Sequence, residues 1–246
     1  MAGMHTVKQG EYMAFIAAQY GFTNWQTIWN LPQNANLKSQ RQNPNVLFPG
    51  DQVYVPDPAV KNVAKPTDNT HTFKLKNSTL KLLLTLQDMY EKPIANAKCV
   101  LSLDGNTVNV TTDGNGGINQ DIPPKTQSGI LVIQDSQTPL NNTQIPILIG
   151  NLDPVDQVSG QIARLNNLGY AAGDPSKPPV SGDGNSDGNS AGGGGDGADG
   201  ASGTGSLFST DPFSSAVQEF QCDNGLTVDG ICGPVTQASL KQVHGC

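Results

Sequence analysis

The chain has 246 residues, a formal net charge of −7 and an isoelectric point near 4.7. This acidic balance argues against a nucleic-acid binder that works by neutralising phosphates. No apolar run is long enough to cross a membrane, and the first residues lack the apolar core of a secretory signal. Gly and Pro together make up about 18% of the chain, so we expect part of it to be non-globular.

The first segment, residues 5–56, predicts a strand, two helices and a second strand. Apolar residues at helical spacing favour a helix over 11–20. Trp25 and Trp29, four positions apart, suit a second short helix, and we expect Trp29 to lie in the core. Residues 52–56 have strand character and end on a proline. The segment is therefore expected to be a small α+β domain.

The second segment, residues 71–150, is dominated by strand patterns. Residues 58–70, which precede it, hold few large apolar side chains and predict a linker. The alternation of apolar residues begins at Phe73 and Leu75 and recurs in several short runs divided by turns. This pattern predicts a small β-sandwich.

The third segment, residues 151–246, predicts a compact three-helix bundle. Asp211 is expected to cap the second helix, and Pro234 to begin the third. The expected helices are 154–168, 212–221 and 234–244. Between the first two, residues 173–205 contain twelve of the 28 glycines and almost no large apolar side chain, so we expect a disordered coil there.

Residues 5–56 resemble a LysM domain in three stretches, 5–11, 15–21 and 45–56. The resemblance implies a βααβ domain over 1–57 that binds N-acetylglucosamine-containing glycans, mainly peptidoglycan or chitin. The implied groove lies between the loop after the first strand and the loop before the last. Carried over to this chain, its residues are Gly10, Glu11, Tyr12, Met13, Asn45, Val46, Leu47 and Phe48.

Two features of this segment depart from the LysM pattern. The family usually has Asp-Thr-Leu where this chain has Glu11, Tyr12 and Met13, and residues 31–41 are longer than usual. Tyr12 and Phe48 lie in the two loops, and we expect both to be exposed and to stack on sugar rings.

Residues 151–246 resemble the three-helix peptidoglycan-binding domain of bacterial wall hydrolases, most specifically in the run 225–236. Within this run we expect an Asp-Gly pair to reverse the chain and Gly233 to take an unusual backbone angle. The resemblance implies that the turn borders the ligand groove. It places four residues near the ligand: Asp229, Gly230, Gly233 and Thr236. The family has a short connection in place of the coil.

Residues 71–150 are similar to Ig-like and carboxypeptidase-regulatory-like sandwiches, on the runs 86–97 and 110–116. This similarity implies a fold and no activity. The sandwich is therefore expected to space the two terminal domains.

No metal site or catalytic centre is expected. The three histidines are scattered, which disfavours zinc, and the Asp/Gly-rich coil lacks the glutamate of a calcium-binding loop. The His-Gly-Cys run at 244–246 is similar to that of L,D-transpeptidases, but we expect a helix end, because a nucleophile also needs a base, an orienting group and an oxyanion site. Both a Cys222–Cys232 and a Cys232–Cys246 disulfide remain open.

Together the resemblances imply non-catalytic peptidoglycan binding by two terminal modules, in a cell-wall-targeting adaptor without cofactor, nucleic acid or membrane partner. Two weak sites on one chain would gain avidity. Because no Sec signal is visible, we expect a protein that is cytoplasmic until a non-Sec route exports it, or one that lies in the periplasm or cell envelope after delivery. The alternative is a structural or cargo-adaptor component of a type VI or related contractile injection system, with spike or effector proteins as partners.

Overall fold

The computed structural model describes residues 2–59, 62, 64–72, 80–88, 90–138, 140–179 and 211–246. The chain divides into two compact units, Met1–Pro154 and Val155–Cys246. The predicted multidomain α+β class is confirmed: a βααβ domain is followed by antiparallel sheets and then by helices. Within the described ranges, none of the helices is long and apolar enough to cross a bilayer.

The N-terminal domain is closed by the pairing of its first and last strands. Strands β1 and β2 run antiparallel, from Gly3 opposite Val55 to Thr6 opposite Gln52. Helices pack over this pair and bury a core that includes Ile16 and Trp29, so the prediction of a core Trp29 is confirmed. The elements are β1 (Gly3–Thr6), α1 (Met13–Gln19), α2 (Gln26–Trp29), α3 (Ala35–Arg41) and β2 (Gln52–Val55).

Helix α3 is an element that the sequence pattern did not predict. It occupies most of the long segment 31–41 and follows a short 3-10 turn, Pro32–Asn34. The buried Asn34 side chain joins this turn to the domain, because its amide donates to the carbonyl of Ile28 at 2.9 Å and to that of Tyr54 at 2.9 Å. The insertion is therefore part of the folded domain.

The central part is a sandwich of two antiparallel sheets. Strand β3 pairs with β6, and the second sheet has the order β5-β4-β7-β8. The inward faces of both sheets share one core, which includes Leu101, Ile118 and Leu131. The strands are β3 (Leu80–Thr85), β4 (Lys98–Leu103), β5 (Asn106–Thr111), β6 (Gly117–Ile122), β7 (Ser128–Ile133) and β8 (Gln144–Leu148). The predicted strand start at Phe73 and Leu75 lies outside the described residues.

The C-terminal unit contains α4 (Val158–Asn167), α5 (Pro212–Asp223) and α6 (Pro234–His244). Helix α4 packs against both α5 and α6 around a shared core. The predicted cap is confirmed, since the Asp211 carboxylate accepts a hydrogen bond from the Ser214 N–H at 3.2 Å. All four cysteines lie in described ranges and all are free, so the structure contains neither of the two disulfides that the sequence left open.

The start of the expected coil is an ordered turn. The Asp174 carboxylate accepts from the backbone N–H of Ser176 at 2.9 Å, and the Asn166 side chain donates to the Gly173 carbonyl at 2.8 Å. The rest of that expected coil, residues 180–205, lies outside the described residues.

Candidate functional site

The two loops implied as a groove in the N-terminal domain lie side by side. The N–H of Met13 donates to the carbonyl of Pro44 at 2.9 Å, which ties the first loop to the start of the second. The structure therefore brings together the two stretches that the sequence resemblance joined.

The second loop is held by a buried ion pair that begins in the inserted helix. Arg41, the last residue of α3, donates to both carboxylate oxygens of Asp51 at 2.8 Å. The same carboxylate accepts from the N–H of Phe48 at 2.9 Å, and the Arg41 guanidinium lies 5.6 Å from the centre of the Phe48 ring. This arrangement fixes the loop and leaves Phe48 half-buried, while Asn45 is exposed.

The expectation of an exposed Tyr12 is wrong. Its side chain is only 1% exposed, and its hydroxyl donates to the backbone carbonyl of Thr126, in the β-sandwich, at 2.8 Å. Burial raises the pKa of Tyr12, and the negative charge of Asp104 adds to the effect. Tyr12 stands where the family usually has Thr, and its hydroxyl is bonded to the neighbouring sandwich.

Most of the other predicted groove residues also face inward. The Glu11 carboxylate is buried and accepts from the N–H of Lys8 at 2.9 Å, and it lies 2.7 Å from Nε2 of His5. Met13 belongs to the domain core. Gly10, Val46 and Leu47 are buried as well. Of the eight predicted positions, Asn45 and part of Phe48 remain accessible.

In the C-terminal unit, by contrast, the predicted residues border an open groove. It has a volume of about 300 Å³ and lies between the turn after α5 and the first turn of α6. Three of the four predicted residues, Asp229, Gly233 and Thr236, line it, and Gly230 is their neighbour in the turn. The other lining residues are Gln221, Leu226, Thr227, Ile231, Pro234 and Val235.

A buried glutamine organises this turn, and the sequence analysis missed it. Gln221 is 1% exposed. Its carbonyl oxygen accepts from the backbone N–H groups of Asp229 and Gly230, both at 3.0 Å. Its amide nitrogen lies 2.8 Å from the Asp229 carboxylate and 3.1 Å from the hydroxyl oxygen of Thr236. A polar residue on the buried face of α5, next to Phe220, was the signal for this role.

The two glycines of the motif have different roles. Gly230 has φ +72°, and a Cβ there would lie 2.6 Å from Oγ of Ser214, so this position favours glycine. The expectation of an unusual angle at Gly233 is wrong, because its φ is −75° and no atom would crowd a Cβ. Gly233 precedes Pro234, which begins α6 as predicted.

The groove combines an apolar rim with one charged group. Ile231 and Val235, which line the groove, are 66% and 72% exposed. The backbone N–H of Ile231 and the Gln221 side chain lower the pKa of Asp229, so this carboxyl is ionised near neutral pH. Among the described residues, no aromatic side chain lines the groove. Exposed apolar residues around a concave site are typical of a binding surface.

A thiol and an imidazole lie close together at the end of α6. Sγ of Cys246 is 3.1 Å from Nδ1 of His244, and Nε2 of that ring is 3.0 Å from the Asn167 amide nitrogen. Burial raises the pKa of the Cys246 thiol, although the Arg164 guanidinium opposes it, so the thiol is protonated near neutral pH. In the part of the chain that the structure covers, no three His, Cys, Asp or Glu residues are placed to hold a metal ion.

Two protein families match parts of the chain. Residues 5–56 match the LysM domain, and residues 209–240 match the peptidoglycan binding domain family PG_binding_1. No curated protein and no solved structure matches the chain. The second match spans α5, the turn and most of α6, which are the elements that form the open groove. The chain therefore contains two domains of peptidoglycan-binding families, and these suggest cell-wall binding with peptidoglycan as the partner.

Proposed function

We propose that this protein binds peptidoglycan without transforming it, and that the C-terminal groove is its principal binding surface. The observation that supports this most is the agreement between the family match and an open, partly apolar groove lined by Asp229 and Thr236. The corresponding loops of the LysM domain are largely covered. The C-terminal unit is therefore the better candidate for the first contact with the wall.

We further propose that the chain acts as a cell-wall-targeting adaptor. Its terminal domains belong to two wall-binding families and lie at opposite ends of the chain, with the sandwich between them in sequence. Two weak sites joined in one molecule raise each other's occupancy through their effective concentration. The role needs no proton transfer, and the protonated Cys246 thiol agrees with it. A zymogram in which the pure protein cleared cell wall would contradict the non-catalytic part.

Co-sedimentation with purified peptidoglycan sacculi tests the binding site. Val235→Glu places a charge on the groove rim, at an exposed position where folding should be unaffected. We expect it to reduce pelleting of the full-length protein at least tenfold. Val243→Glu is the matched control, because Val243 is also exposed and lies on the same helix, outside the groove lining.

The result has three readings. Loss of pelleting in Val235→Glu alone supports the groove, and equal pelleting of both variants refutes it. If the wild-type protein does not pellet, wall binding itself is refuted. In that case the alternative of an injection-system component would be tested next, by capture of spike proteins.

A further inference from the structure

We propose that the β-sandwich occupies the first groove loop of the LysM domain, residues 10–13, so that the sandwich and a glycan compete for it. The LysM domain then binds glycan only when it undocks from the sandwich. This inference uses the groove that the LysM resemblance implies and does not depend on the C-terminal groove.

The centre of the contact is the Tyr12 ring. The ring is buried, and its hydroxyl donates to the Thr126 carbonyl, which belongs to the turn between β6 and β7. A sugar that approached the loop would meet this turn instead of the ring. One of the two aromatic residues predicted to stack on a sugar is therefore already engaged within the chain.

Gly150 shows how closely the sandwich approaches the loop. It follows β8, and a Cβ at this position would lie 2.4 Å from Cδ1 of Tyr12 and 2.5 Å from the Gly10 carbonyl oxygen. Only a residue without a side chain permits this approach. A glycan cannot enter the space that the Gly150 backbone fills.

Polar contacts extend the interface on both sides of Tyr12. The Gln127 side chain donates to the Gly10 carbonyl at 3.4 Å, and the Gln9 side chain donates to the Asp153 carboxylate at 3.4 Å. The two sandwich segments are themselves joined, because the N–H of Ile149 donates to the carbonyl of Gln127 at 2.8 Å. The covering surface is thus one connected piece of the sandwich.

The contact also contains a feature that opposes docking. The hydroxyl oxygen of Thr126 is buried, and it has no hydrogen-bond partner among the residues that the structure describes. A buried polar atom without a partner is unfavourable, and it would regain water on undocking. Direct hydrogen bonds favour the docked state while this hydroxyl disfavours it, which is the balance expected of a reversible contact.

Single isosteric substitutions should shift the equilibrium between the docked and undocked states in either direction. Tyr12→Phe removes the hydroxyl that bonds Thr126 and keeps the ring. Thr126→Val removes the unpartnered hydroxyl and keeps the backbone carbonyl that accepts from Tyr12. Because apparent affinity scales with the fraction of molecules that are undocked, the first should strengthen glycan binding and the second should weaken it.

The experiment is a calorimetric titration of full-length protein with a β-1,4-linked N-acetylglucosamine hexamer, in a Val235→Glu background that disables the C-terminal groove. We expect Tyr12→Phe to raise the apparent affinity about fivefold, because it removes one neutral hydrogen bond from the docked state. We expect Thr126→Val to lower the apparent affinity about fivefold, because it removes one buried polar group without a partner from that state. The matched controls are Tyr90→Phe and Thr111→Val, both at exposed positions of the sandwich.

An independent readout follows the sandwich itself. During the same titration the amide resonance of Gly150 should move, although Gly150 lies outside the LysM domain. Equal affinities in wild type, Tyr12→Phe and Thr126→Val would overturn the proposal, as would binding that leaves Gly150 unmoved. Absence of binding in every variant would overturn it too, because the loop would then not be a glycan site. Sacculus pelleting through the C-terminal groove is unaffected by any of these outcomes.

Discussion

Replacing Gln221 by leucine is expected to destabilise the C-terminal unit by about 2–4 kcal/mol. Leucine is somewhat larger than glutamine, so no cavity should open in the α5 core around it. The loss comes from hydrogen bonds, because the leucine side chain can neither accept from the Asp229 and Gly230 N–H groups nor donate to the Asp229 carboxylate.

The magnitude follows from the number of groups that lose a partner. Two backbone N–H groups lose their acceptor, and a buried polar group without a partner costs about 1–3 kcal/mol. Asp229 is exposed and Gly230 is half-buried, so water can reach part of the turn. The expected loss of stability therefore lies in the lower half of the range obtained by adding the costs of the two N–H groups. The Thr236 hydroxyl keeps a second contact, to the Ile231 carbonyl at 3.5 Å.

Urea denaturation of the full-length protein, followed by a probe in the C-terminal unit, measures this loss. The control is Gln242→Leu, since Gln242 is exposed on α6 and should tolerate the change within about 0.5 kcal/mol. A loss below about 1 kcal/mol in Gln221→Leu would refute the reasoning that this side chain holds the turn.

Three further predictions concern stability. Arg41→Ala leaves the Asp51 carboxylate buried without its partner and should cost about 3–5 kcal/mol in chemical denaturation; a loss under 1 kcal/mol would contradict the buried pair. Gly230→Ala should cost about 2 kcal/mol and Gly233→Ala less than about 1 kcal/mol, because only the first position has positive φ, and equal losses would contradict this. Burial, helped by a nearby arginine charge, lowers the pKa of His244 to about 4, below its unfolded value of about 6.5. The contribution of His244 to the free energy of unfolding should therefore be fully present above pH 6.5 and be lost as the pH falls towards 4. We expect a loss of about 1–2 kcal/mol, because solvent screens a half-buried ring. A melting temperature that stays constant over this pH range would refute the prediction.

Local elements were predictable from the sequence where apolar periodicity matched a single structure. The helices of the C-terminal unit have clear three- and four-residue spacing, and their starts carry Asp211 with Pro212, and Pro234. Helix α3 lacks such a pattern, because Leu37 is its one buried apolar residue, and the sequence therefore did not predict it.

The two candidate sites also differ in how far the sequence could predict them. The C-terminal turn is a local structure, and three of the four residues that the motif predicted line one groove. That this groove binds a ligand stays a prediction. The environment of Tyr12 depends on Thr126, which is 114 residues away in the chain. No local sequence pattern indicates a contact over that separation. The sequence therefore predicts an exposed tyrosine in a loop, although the residue is buried.

Titration of soluble peptidoglycan fragments into isotope-labelled full-length protein is the most direct test of the central claim. If the C-terminal groove binds the wall, amide shifts should concentrate between Leu226 and Thr236, and Val235→Glu should abolish them while Val243→Glu leaves them in place. Shifts confined to other parts of the chain, or saturation that is unchanged in Val235→Glu, would contradict the account.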